Sequence, residues 1–359
     1  MKLNADFSKH VLKFKFDAGT SRGILRHKNT WFIRVWHTEE PWRIGRGECG
    51  PLQGLSIDDR PDFETKLNEV CREVSRRDFN KLATSDLSEI FQLRNFPSIL
   101  FGLETAILDL MHGGTMTIFE SPFSRGEEVI PINGLVWMGD KDFMQRQIRE
   151  KISEGYNCIK MKIGAIDFDT ECALLHDLRK DYPQDRLSLR LDANGAFQAE
   201  EALQKLKILS KFGIHSVEQP IRHGQEKEMR ALCIDSPIDI ALDEELIGKY
   251  SYEEKLSLLK YIRPSYIILK PSLLGGFASC REWIEIASSL NIGWWITSAL
   301  ESNIGLNAIA QFTATFSPSI PQGLGTGKLY HNNIESPLVI SKGSLRYDLN
   351  NKWDFKLSG

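Results

Sequence analysis

Between Cys158 and Gly276 the chain reads CIKMKIG (158–164), LSLRLDANG (187–195), IHSVEQP (214–220), DIALDEE (239–245) and YIILKPSLLGG (266–276). Each short apolar run brings a charged side chain to its end: Lys162, Asp192, Glu218, Asp243 and Lys270. Successive steps are 30, 26, 25 and 27 residues, about the length that a strand, a helix and two loops occupy in one βα unit. The spacing predicts a repeating strand–helix array with a functional residue at the end of each strand. In a closed (β/α)8 barrel those strand ends face one shared cavity, and catalytic residues come from several strands. A single strand-end Asp or Lys is most often a solvated loop charge. Five at the repeat spacing of a barrel are not explained that way.

Alternation along a strand puts residues i and i+2 on one face. Lys160 and Lys162 therefore point the same way while Met161 points the other. Arg190, Asp192 and Asn194 form a second such set, leaving Leu189 and Leu191 to pack under outer helices. Three carboxylates from adjacent strands, flanked by lysines, describe a divalent cation site with two candidate bases. Mg²⁺ is a hard, oxygen-seeking cation. Asp192, Glu218 and Asp243 would supply three oxygens and leave room for a substrate carboxylate, and Mn²⁺ suits the same donors. Such a cation favours loss of the proton next to that carboxylate by stabilising the enediolate charge. A free lysine, with a pKa of about 10.4, is a poor base at neutral pH. Positive charge from Lys160 and the cation would depress Lys162 into a usable range.

The 359 residues exceed the usual single-domain size, so a large barrel plus a smaller domain is expected. A content of 42% hydrophobic and 26% charged residues is that of an ordinary globular chain. The net charge of −3 gives no basic nucleic-acid surface. No apolar run reaches membrane-spanning length, and MKLNADFSKH lacks the apolar core of a signal peptide. Six cysteines without a CxxC pair suit reduced thiols in the cytoplasm. The expected partner is a small-molecule carboxylate, with no nucleic acid and no membrane. A homo-oligomer is an arrangement the sequence allows without specifying.

Outward from the decisive stretch, the barrel is expected to run over about 126–330, starting with INGLVWMG and a helix from about Lys141 to Glu154. GWWIT provides a seventh strand, and the weakest, eighth, strand falls at about Gln322-Gly323-Leu324. Residues 1–125 read as an α+β capping domain. FSKHVLKFKF and TWFIRVW alternate as strands, DAGTSRGIL between them reads as a mobile loop, and PDFETKLNEVCREV and SILFGLETAILDLMHGG read as helices. VISKGSLRYDL reads as a hairpin, and the tail of about 331–359 is expected to return to the capping domain.

KxK on the second strand, DxN on the third, EQP on the fourth, DE on the fifth and KPSLLGG on the sixth resemble the enolase superfamily. They match its muconate-lactonizing branch, with lysines on opposite sides of the site, which holds muconate cycloisomerases, dipeptide epimerases and o-succinylbenzoate synthases. TSALESNIGL (297–306) and QGLGTGKL (322–329) look most like the o-succinylbenzoate synthases. That resemblance implies a (β/α)8-type barrel with an N-terminal α+β cap. It implies a metal-dependent lyase that dehydrates a cyclohexadiene hydroxyacid in menaquinone biosynthesis. Lys162, the second lysine of KxK, takes the role of base and Lys270 stabilises the ring-delocalised anion, with Lys160 beside them. Asn194 and Glu244 are expected to support the metal ligands, with Glu301 as a further supporting partner. Thr297, Ser298, the backbone N–H of Gly323 and the Arg22 side chain are the candidate substrate contacts. The other readings are an N-acylamino acid racemase or dipeptide epimerase, with Lys162 and Lys270 exchanging protons as a pair, and a barrel kept only for binding.

Overall fold

The structure, a computed structural model, describes residues 2–20, 23–78, 84, 86–164 and 166–356. It opens with an antiparallel meander of β1 (Leu3–Thr20), β2 (Gly23–His37) and β3 (Glu40–Cys49). Against the meander pack α1 (Phe63–Arg76), the short α2 (Leu87–Ile90) and α3 (Pro97–Met111). The segment read as a loop, DAGTSRGIL, is instead largely strand. Pairing resumes at Ala18↔Leu25 after a register shift that follows Lys13. Residues 21 and 22 lie outside the described residues, and with them the expected Arg22 contact.

A three-residue strand β4 (Val129–Pro131) leads into β5 (Gly134–Val136), α4 (Lys141–Ser153), β6 (Cys158–Lys162), α5 (Phe168–Asp181) and β7 (Ser188–Asp192). The alternation continues through α6 (Ala199–Leu209), β8 (Ser216–Glu218), α7 (Glu226–Asp235), β9 (Asp239–Leu242) and α8 (Tyr252–Ile262). It ends with β10 (Tyr266–Leu269), α9 (Pro271–Leu274), α10 (Gly276–Ser289), β11 (Gly293–Ile296) and α11 (Asn303–Ala314). Among the described residues β5 to β11 form one seven-stranded parallel sheet in sequence order. The eighth position is reduced to two isolated bridges, Ile132↔Gln322 and Thr297↔Gly323, which join the first strand to the last and close the barrel.

Three barrel helices begin at side-chain caps. Asp140, Asp167 and Ser251 accept from backbone N–H groups of the first turns of α4, α5 and α8, satisfying donors that have no partner within the helix. Ile159, Met161, Leu189, Leu191, Val217 and Ile240 are buried in the main hydrophobic cluster together with leucines of α5, α6 and α8. The alternate strand positions are thereby turned towards the barrel axis.

Two contacts join the meander side to the barrel through charge. Glu104 of α3 accepts a 2.7 Å hydrogen bond from the Phe277 N–H in the first turn of α10. Glu48 of β3 accepts from the Ser302 and Gly305 N–H groups at the start of α11, and from the hydroxyls of Ser302 and Thr30. A carboxylate at a helix N-terminus meets both free N–H groups and the positive end of the helix dipole. Gly45 and Gly47 let β3 lie directly on α3. A Cβ on Gly47 would stand 1.9 Å from the Gly102 carbonyl oxygen, so no larger residue fits.

Hairpin β12 (Leu338–Ser341) and β13 (Ser344–Tyr347) pairs with β4, and Leu345 enters the barrel's cluster. Further along, Trp353 and Phe355 pack beside Phe32 and Met116, and the Arg46 guanidinium lies 4.1 Å from the Phe355 ring centre.

Burial pushes the Glu104 carboxyl up from 4.5 to about 7, against the lowering effect of the Phe277 and Ala278 N–H groups. A carboxyl raised in the folded state contributes stability that is complete below its unfolded pKa and is lost as pH rises through the folded one. Glu104→Gln removes that dependence. The variant should gain on the native chain by about 3 kcal/mol between pH 4 and pH 8, read from urea unfolding at both values. A difference that does not change with pH would contradict it.

Candidate active site

Strand register brings the key residues together. Lys162 stands opposite Asp192 on β7, and Asp192 opposite Glu218 on β8. Asp243 follows the end of β9 and Lys270 follows β10, where Pro271 starts the next helical turn. All five, with Lys160, are at least nine-tenths buried. Leu135 stands opposite Lys160 in the parallel ladder and therefore shares the face that looks into the barrel.

The charges pair closely. Lys160 Nζ lies 2.7 Å from Glu218 Oε2 and 2.9 Å from Asp192 Oδ2. Lys162 Nζ donates to the same Asp192 oxygen at 3.0 Å and to Asn194 Oδ1 at 2.6 Å. Lys270 is paired with Asp243. Burial alone would raise the Asp192 carboxyl, but Lys160, Lys162 and Lys270 outweigh it and hold it well below the usual range. Burial and the neighbouring Asp192 charge push Glu218 up, to about 8. Lys160 is pushed up by Asp192, Glu218 and Asp243 in spite of burial.

A second layer holds this one in place. Asn194 accepts from Lys162 and donates through Nδ2 to Glu244 at 3.1 Å, so the DxN motif fixes the lysine. Asn194 adopts φ +44 and Gln219 φ +40, in the left-handed region that asparagine tolerates better than most residues. Gln219 was not singled out from the sequence. Its Oε1 accepts from the Asp243 and Glu245 N–H groups, and its Nε2 donates to Glu245, so it shapes the turn that presents Asp243. Its signal was a long polar residue before Pro220 at a strand end.

Glu301 accepts from the Ser272 and Ser298 hydroxyls and from the Ala299 N–H. The Ser298 hydroxyl is thus engaged inside the protein, accepting also from Thr326 and the Leu300 N–H. The expected backbone contact through Gly323 does not hold: its N–H donates to Ile296 O at 2.8 Å within the barrel wall. What position 323 requires is space, since a Cβ there would lie 2.3 Å from Thr297 Oγ1.

The lysines open onto a cavity of ≈ 410 Å³, a common size for a small-ligand site. Lys160, Lys162, Asp192 and Lys270 line its charged wall, and Trp137, Leu52 and Leu300 its apolar one. Among the described residues no three His, Cys, Asp or Glu side chains are gathered as a metal cluster, because ammonium groups lie between the carboxylates. The donor set nevertheless suits a divalent cation. Three buried carboxylates are hard oxygen donors, and a positive group, the Lys160 ammonium, already sits between two of them.

The family model "Enolase C-terminal domain-like" matches residues 143–350. The o-succinylbenzoate synthase of Desulfotalea psychrophila is 47% identical over 366 residues, covering 96% of this chain and 98% of the relative. The chain belongs to the o-succinylbenzoate synthase family of the enolase superfamily. The same family includes the synthase of Haemophilus influenzae, 27% identical over 84% of this chain and 83% of that one. The crystal structure of MenC from Desulfotalea psychrophila superposes with a TM-score of 0.87 at 44% identity, over 96% of this chain and 100% of that one. The muconate lactonizing enzyme of Pseudomonas fluorescens, at TM-score 0.83 and 22% identity over 98% and 97% of the two chains, shares the fold.

Removing Lys160 would leave Asp192 and Glu218 under-compensated inside the barrel. Lys160→Met should cost about 3–5 kcal/mol of stability, read by urea unfolding near pH 7. Added Mg²⁺ should recover part of that loss by supplying positive charge to the same carboxylates. Unchanged stability would contradict the pairing.

Proposed function

We propose that this chain is an o-succinylbenzoate synthase, a hydro-lyase that dehydrates 2-succinyl-6-hydroxy-2,4-cyclohexadiene-1-carboxylate to 2-succinylbenzoate, the menaquinone-pathway reaction. The observation that carries the reading is the pair of buried lysines, Lys162 on β6 and Lys270 after β10. They line one cavity whose apolar wall suits a carbon ring. On this reading residues 1–125 cap the barrel of 126–330, the tail of about 331–359 returns to the cap at Trp353 and Phe355 while its hairpin stays on the barrel, and the protein works in the cytoplasm.

Asp192, Glu218 and Asp243 would hold Mg²⁺, or Mn²⁺ in its place. The ion would supply Lewis-acid polarisation of the substrate carboxylate. Lys162 takes the proton from the ring carbon that bears this carboxylate. The electron pair of that C–H bond spreads over the ring, and then forms the last double bond as the C–O bond to the neighbouring hydroxyl breaks. The protonated Lys162 returns its proton to the departing oxygen, water leaves, and the ring becomes aromatic. Lys270 keeps its proton and sets its cation against the anionic ring. Asn194 holds Lys162 in line by accepting from it. Lys15 and Lys328 also line the cavity, are exposed to solvent and have no ion-pair partner among the described residues. They are suited to the second carboxylate, on the succinyl arm.

Direct assay of the purified chain with the cyclohexadiene acid and, separately, an N-succinylamino acid tests the reading, each with Mg²⁺. Dehydration should dominate; racemisation alone would favour the epimerase branch. Asp192→Asn, Glu218→Gln and Asp243→Asn should each abolish turnover and weaken Mg²⁺ binding measured by calorimetry, with the fold retained. Near-native turnover by any one of them would remove that residue from the ligand set.

One-base chemistry separates the two lysines. Lys162→Ala should stop proton exchange from a bound product analogue in D₂O. Lys270→Arg keeps a cation, so it should slow dehydration while leaving part of the exchange. Complete loss of exchange in Lys270→Arg, or exchange at the native rate in Lys162→Ala, would show the roles to be wrong.

A further inference from the structure

Where β5 meets the vestigial eighth strand, the barrel wall carries two buried polar atoms without partners. Asn133 is 4% exposed, and its Oδ1 has no hydrogen-bond partner. Its Nδ2 makes only a 3.4 Å contact with the neighbouring Gly134 carbonyl. Across the seam, Thr297 Oγ1 is likewise buried and unpaired. Both residues line the same cavity as Lys160 and Lys162, with Gly323 packed against the Thr297 side chain and Gly325 beside the Asn133 backbone. Asn133 is two residues before Leu135, which shares the inward face of Lys160, so its side chain also belongs to the barrel interior. The backbone leaves it little freedom, because its N–H donates to Gln322 O at 3.0 Å.

An orphaned buried acceptor costs about 1–3 kcal/mol, and two beside one glycine-floored notch call for a ligand group. The notch asks for a group that donates to Asn133 Oδ1 and accepts from the Thr297 hydroxyl. A carboxylate cannot donate, and a keto oxygen cannot either. A hydroxyl does both. The notch straddles the barrel seam, with Thr297 at the end of β11 and Asn133 beside β5, whose neighbour β6 carries Lys162.

We propose that Asn133 and Thr297 bind the ring hydroxyl that the substrate loses as water, orienting its C–O bond for protonation by Lys162. The inference rests on the dehydratase reading and deepens it, for the notch then recognises the one group present in the substrate and absent from the product. In the reaction the C–O bond breaks with its electron pair on oxygen, Lys162 supplies the proton, and the resulting water stays bound to the same two side chains until the product leaves. Asn133 was not a candidate on the sequence, where it reads as an ordinary polar residue at the start of a strand.

The test compares substrate with product, because only the substrate carries the hydroxyl. Asn133→Ala should lower kcat/KM for dehydration on the order of 10- to 100-fold. It should leave the Kd of 2-succinylbenzoate, measured with Mg²⁺ present, within about twofold of native. Thr297→Val, close to native in shape, should show the same split and carries the test if Asn133→Ala does not fold. The double variant should lose little more than the worse single one, since both contact one hydroxyl. An equal loss of substrate turnover and product affinity would reduce both residues to packing and overturn the proposal, as would native kcat/KM in both variants. Failure of the native chain to dehydrate the substrate or bind the product would overturn the dehydratase reading itself, and this inference with it.

Discussion

The structure depends on keeping several charges out of water at the open end of one barrel. Asp192, Glu218 and Asp243 are almost completely buried, and burying an unpaired carboxylate is prohibitive. Lys160, Lys162 and Lys270 make the burial tolerable, each held by at least one of those carboxylates. Parallel strands are what make this possible. They bring successive strand ends to one height, so residues tens of positions apart in sequence meet within a salt-bridge distance. The same arrangement creates reactivity, since groups that need one another for neutralisation respond when a substrate or cation changes the balance.

The meander and α3 are tied to the barrel by a related device. Glu48 and Glu104 reach across to the first turns of α11 and α10. Both helices follow strands that line the site. Ser302, held by Glu48, comes directly after Glu301, which in turn holds Ser272 and Ser298. A chain of buried hydrogen bonds therefore runs from β3 to the cavity wall. Movement of the cap relative to the barrel would have to break charge-assisted bonds in an environment where water is absent to replace them.

Much of the site was legible because strand periodicity is strict. CIKMKIG and LSLRLD place Lys160, Lys162 and Asp192 by alternation alone, whereas Asn194 reaches Lys162 through a left-handed turn just past the strand. The helix starts at Asp167 and Ser251 are local too, since each cap side chain meets a backbone N–H three residues on. The illegible parts are non-local. DAGTSRGIL has loop composition, yet long antiparallel pairing with β2 carries it as strand. Gly323 has the look of a free backbone donor, but barrel closure consumes its N–H. Asn133 carries no local signal and Gln219 only a faint one, a long polar residue before Pro220, because their importance arises from what lies opposite them.

The sequence by itself determined the repeating βα architecture, the order of charged residues along it and the family to which the chain belongs. Period-two alternation and the 25–30-residue repeat are properties of the chain read locally, and they survive without any knowledge of contacts. Tertiary structure alone decided which oxygen each lysine pairs with, that Asn194 bridges Lys162 to Glu244, and that an eighth strand of two isolated bridges suffices to close the barrel. It also decided which polar groups are left without partners at that closure. Hydrogen-bond satisfaction is a count taken over everything surrounding an atom, and those surroundings exist only once strands distant in sequence have come together.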